Sequence, residues 1–120
     1  MNILKKLFGG QKTTEEVRET KEKSFDMVKY DGVRALRMQQ FDLAAKFLEH
    51  ALQLNAEDLE CRDYLSRAYI SMGNLQQAYA QLQKISEAQP DNVAVLLRMA
   101  DVAYMMEDYI AMTDVCDKAL

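Results

Sequence analysis

The chain has 120 residues, 49% of them apolar, with one Pro, four Gly, no Trp and a net charge of −4. That length suits one domain with a useful core, and the scarcity of helix breakers points to an all-α protein. The acidic balance argues against nucleic acid, whose phosphates need clustered cations, and two cysteines with one histidine fall short of a four-ligand zinc site.

Residues 1–12 form an arm of distinct character. Ile3, Leu4, Leu7 and Phe8 fall on one face of two helical turns, with Lys5 and Lys6 opposite. The lysine pair interrupts the run of roughly 7–15 apolar residues that a secretory signal needs, and no stretch approaches the roughly 18 apolar residues of a membrane span. Three readings stay open. The arm is a basic amphipathic anchor touching a membrane surface or a partner groove, a frayed end cut off by Gly9-Gly10, or an apolar segment that folds back onto the body.

Residues 13–24 restart helix. Thr13-Thr14-Glu15-Glu16 reads as a capping box, in which hydroxyl and carboxylate satisfy opposite amide donors. Beyond Val17 this piece carries almost no apolar stripe, so it reads as a charged lead-in, either continuous with the next helix or a separate cap. Residues 1–24 hold six Lys/Arg against four acids, a balance of +2, whereas residues 25–120 hold nine against fifteen, a balance of −6.

The best-marked stretch runs over residues 59–92. Leu65, Ala68, Tyr69 and Met72 recur at helical spacing, Gly73-Asn74 breaks the period, and Leu75, Ala78, Tyr79, Leu82 and Ile85 resume it until Pro90-Asp91. Gly73 suits a left-handed turn because it has no Cβ to clash. Small Ser66 and Ala78 sit where two antiparallel helices approach closely. The pattern recurs at an interval of about 34 residues: Gly32, Ser66 and Ala100; Ala44, Ala78 and Met112; Leu48, Leu82 and Cys116.

A helix–turn–helix repeated at this interval resembles the tetratricopeptide repeat family. The repeats are residues 25–58, 59–92 and 93–120, the last incomplete. The middle unit carries the family pattern at Leu65, Ser66, Tyr69, Gly73, Ala78, Leu82 and Pro90, and departs from it at Arg62 and Ile85. In the outer units Asp31, Ala56, Glu107 and Met112 replace usual residues. The resemblance implies a right-handed superhelix of antiparallel helix hairpins with an N-terminal helical extension.

It also implies a concave groove lined by the first helix of each repeat. Carried onto this sequence, the lining is Asp26, Lys29, Val33, Leu36 and Arg37, then Glu60, Asp63, Arg67, Ile70 and Ser71, then Ala94, Leu97, Asp101, Tyr104 and Met105. Leu36, Ile70, Leu97, Tyr104 and Met105 are apolar there without an evident core reason. The family's carboxylate clamp falls on Lys29, Val33, Tyr64, Ala94 and Arg98. Only Lys29 and Arg98 match it and both asparagines are missing, so no clamp is expected.

No motif for catalysis is present. His50 matches Lys84 in the next repeat, a solvent-side position, and Glu57-Asp58 and Glu107-Asp108 fall at helix starts, where the macrodipole favours acids. Cys61 and Cys116 read as small apolar residues, a usage that fits a reducing compartment and a cytoplasmic location. The protein is therefore read as a non-enzymatic, cofactor-free interaction module that binds a peptide segment of another protein, in the manner of an adaptor or co-chaperone. The alternative is a stacking module, part of a longer repeat protein or a homodimer, that uses Met106, Met112, Cys116 and Leu120.

Overall fold

The computed structural model describes residues 13–120, so the arm and its three readings lie outside the described residues. Within them the chain is all-helical. The elements are α1 (Thr14–Arg37), α2 (Phe41–Leu54), α3 (Leu59–Met72), α4 (Leu75–Ala88), α5 (Val93–Met105) and α6 (Tyr109–Ala119). Each packs mainly on its neighbours in sequence, which makes three hairpins stacked in order.

Local signals set the helix starts. The Thr13 hydroxyl accepts from the Glu16 amide at 3.1 Å while the Glu16 carboxylate accepts from the Thr13 amide at 3.4 Å, completing the capping box. Asp58, Asn92 and Asp108 cap α3, α5 and α6 by accepting from the amides of Cys61, Val95 and Ala111. From Thr14 the first helix runs 24 residues without a break, so the charged lead-in and the first repeat helix are one element.

The hairpin turns are alike in geometry and unlike in sequence. Gln39, Gly73 and Glu107, spaced at the repeat interval, have φ of 60°, 78° and 60°. In each turn the left-handed residue's amide reaches back to Leu36, Ile70 or Tyr104, and the next amide reaches Ala35, Tyr69 or Ala103. This double bond satisfies two orphan carbonyls at the helix end. Only the middle turn uses the residue that adopts it without strain.

Packing follows the small-residue positions. Ala44, Ser66 and Ala78 are fully buried, and Ser66 returns its hydroxyl to the Asp63 carbonyl at 2.6 Å. A Cβ on Gly32 would meet Leu48 Cγ at 2.8 Å, so α1 and α2 touch there with no room for a methyl group. Leu48, Leu65 and Leu82 fill the space between helices, each contributing about 1.5–3 kcal/mol on burial. Cys61 lies in the first cluster, its thiol donating to the Leu48 carbonyl at 3.4 Å. Burial pushes that thiol up to about 12.

Three of the four residues expected on an open end face also contact the core. Met106, Met112 and Cys116 are half-buried and pack against the second core cluster with Val95, Leu96, Met99 and Val115, Met106 at the end of α5 and the other two on the face of α6 that meets α5. Leu120 alone of the four is exposed.

Candidate peptide-binding groove

The first helices α1, α3 and α5 are joined along one side by ion pairs. Lys29 Nζ on α1 lies 2.8 Å from Asp58 Oδ2 and 2.9 Å from Glu60 Oε1 at the start of α3. Asp63, further along α3, accepts from Arg98 on α5 and from Arg67 at 2.9 Å. Burial by itself would lower the Lys29 ammonium, but the hydrogen bonds and charges of Asp58 and Glu60 outweigh it and hold the group above its ordinary value.

These pairs decide what the groove presents. Lys29 and Arg98, the two residues that match the clamp, are both engaged by carboxylates of the wall itself. A ligand carboxylate would have to compete with Asp58, Glu60 and Asp63 for them, which weakens its hold.

Two clefts open between the pairs. The first, of about 280 Å³, lies between α1 and α3 and brings Lys29, Val33 and Arg37 together with Asp26 and Glu60. Its apolar floor includes Tyr30 and Tyr64. The second, of about 300 Å³, brings Asp63, Arg98 and Ala94 against Ile85 and Val95. Arginine and aromatic side chains alternate along the wall: Arg34 stands 5.8 Å from the Tyr30 ring centre and Arg67 stands 5.5 Å from that of Tyr64.

Other expected lining residues sit elsewhere. Leu36 and Ile70 are apolar for a core reason after all: both pack against the buried clusters, Ile70 against each of them. Ser71 borders a hollow at the first hairpin turn, beside Gln39 and Leu43. On α5, Leu97, Tyr104 and Met105 are exposed by 52%, 63% and 46%, with Asp101 also exposed. Tyr30 and Arg34 were missed by sequence reasoning. The available signal was that Tyr30, Tyr64 and Arg98 share one position of the repeat, which counting from apolar core positions passes over.

Stacked helix hairpins with a charged and aromatic face on their first helices define a helical-repeat interaction scaffold. Among the described residues no group of His, Cys, Asp and Glu is arranged to hold a metal ion. The family model for the tetratricopeptide repeat matches residues 35–96, just over half the chain, and the protein belongs to that family. The fold is that of an Arabidopsis OM64 TPR domain, with a TM-score of 0.73 and 21% identity over 83% of each chain. The Sgt2 TPR domain from Aspergillus fumigatus aligns with a TM-score of 0.69 and 18% identity, covering 79% of this chain and 63% of that one. Yeast Tom70 is 31% identical over 82% of this chain with a TM-score of 0.69, and the match spans 19% of Tom70. No curated protein sequence is significantly similar to this one. Tetratricopeptide domains typically act as non-catalytic scaffolds that bind other proteins or peptides, and this chain is, in general terms, a protein-interaction module.

Proposed function

We propose that the protein is an adaptor of co-chaperone type that binds a peptide segment of a partner protein along the first helices. The observation that carries this reading is the cleft between α1 and α3. There Tyr30, exposed by 63%, stands beside Val33 and Arg37, while Lys29 is shared by Asp58 and Glu60. An apolar floor with few unspent polar groups suits a peptide that brings its own apolar anchors. The two free thiols, Cys61 and Cys116, support a cytoplasmic setting as part of the proposal.

A peptide array probed with the purified full chain tests the reading. Binders should lose at least tenfold in affinity to the double variant Tyr30→Ser, Val33→Asp, while its helical circular dichroism stays native. If no peptide distinguishes the wild-type chain from that variant, groove binding is wrong.

A second reading is self-association through the third repeat. Its support is an exposed apolar group there: Tyr104, Met105, Tyr109 and Ile110, with the two tyrosine rings edge-to-face at 6.3 Å. Light scattering over a concentration range tests it. A dimer that dissociates on Ile110→Lys supports self-association, and a monomer throughout removes it.

A further inference from the structure

We infer that the α1–α3 cleft is specific for an extended peptide bearing one cation and one acid about five residues apart, with apolar residues between. Asp26 and Arg37 read the two charges. The inference rests on the groove reading above and adds the chemistry of the ligand.

Charge accounting within the cleft leads to it. Lys29 is held by Asp58 and Glu60, and Arg34 pairs with Asp31 at 3.3 Å while lying over Tyr30. Among the described residues, Asp26 and Arg37 are the charged residues lining this cleft that make no ion pair. Both are exposed, so neither is needed by the core. They carry opposite signs and bracket the apolar floor of Tyr30, Val33 and Tyr64.

Their spacing sets the ligand's length. Asp26 and Arg37 lie three turns apart on α1, which at 1.5 Å per residue is about 16 Å. An extended chain covers that span in about five residues at 3.3 Å each. A cleft of about 280 Å³ admits side chains from such a strand, whereas a helical ligand about 10 Å wide would rest on the rim. Opposite charges at the two ends also fix the direction in which the peptide lies, since reversal sets like charges against each other.

Four labelled hexapeptides test this by fluorescence polarisation with the full chain at low salt: KLYALE, QLYALQ, KLYALK and ELYALE, each capped at both ends. KLYALE should bind the wild-type chain about tenfold tighter than QLYALQ, roughly threefold for each partly exposed pair. Arg37→Glu should turn the preference to KLYALK, and Asp26→Lys should turn it to ELYALE. These exchanges assign the site, and thermal melts of both variants confirm that the fold is kept. Equal affinity for all four peptides, or an unchanged order in both variants, overturns the charge reading and leaves groove binding standing. Failure of all four to bind at millimolar concentration overturns both. Light scattering on the same samples covers the remaining occupant: a dimer that Arg37→Glu dissolves would place a second copy in the cleft and overturn the inference.

Discussion

Lys29 and Asp58, one on the first helix and one at the cap of the third, meet at 2.8 Å through the carboxylate oxygen that also accepts the Cys61 amide at 3.0 Å. One atom therefore caps α3 and ties it to α1. Cutting it should cost more than either interaction alone. Asp58→Ala should lose about 1–2 kcal/mol of stability, the usual range for a lost cap together with a partly exposed pair. Asp58→Asn, which keeps a cap oxygen without the charge, should lose less than half of that. Urea unfolding of both variants, each with and without Lys29→Ala, gives the coupling between pair and cap.

Gly32 is a point of close approach between α1 and α2. Its missing side chain is filled by Leu48 and Phe47, the nearest atoms lying 2.8 to 3.2 Å from where a Cβ would stand. Gly32→Ala should destabilise by about 1–3 kcal/mol through overpacking, despite the better helix propensity of alanine. Ser66→Ala, at the same position of the next repeat, should stay within about 1 kcal/mol, because the lost hydroxyl bond is local to α3.

The left-handed turns at Gln39 and Glu107 store strain that Gly73 avoids. Gln39→Gly and Glu107→Gly should each raise stability by about 0.5–1 kcal/mol, the left-handed penalty less the entropy glycine adds to the unfolded chain. Gly73→Ala should lose about 1 kcal/mol, although open space surrounds its Cβ position, because the cost lies in φ. Thermal unfolding of the three variants reads all of these.

Stability should fall in alkali. Burial holds the Cys61 thiol at about 12 against an ordinary 9.0, and burial, with the Glu49 carboxylate at 2.5 Å, raises the Tyr69 phenol well above its ordinary 10.0. A folded-state value above the unfolded one means that the native chain holds the proton longer. The contribution is whole below pH 9 and is lost as pH climbs toward the folded values. The wild-type chain should therefore lose stability from pH 9 upward, at no more than about 1.4 kcal/mol per pH unit for each group. In Cys61→Ala the decline should begin only above pH 10, where the tyrosines take over. Chemical unfolding between pH 8 and 11 distinguishes the two profiles, and identical slopes would contradict the burial argument.

Much of the architecture was written locally. Gly73-Asn74 and Pro90-Asp91 mark both ends of α4, and the helical spacing of Leu65, Ala68 and Tyr69 marks the core side of α3. These signals act over a few residues of backbone, so the sequence by itself determined the helices, their antiparallel pairing and the repeat interval. The same holds for Asp58 and Asp108, whose capping depends only on the next turn.

The groove was decided at longer range. Whether Lys29 is available to a ligand depends on Asp58 and Glu60, about thirty residues away, and Arg98 depends on Asp63 in the preceding repeat. Leu36 and Ile70 occupy groove-lining positions of the repeat, yet both are half-buried and pack against the core clusters. Local sequence sets which residues a helix presents on each face. Only the stacked hairpins bring distant charges within a few ångströms, and Coulomb attraction at that range decides which of them stay unpaired.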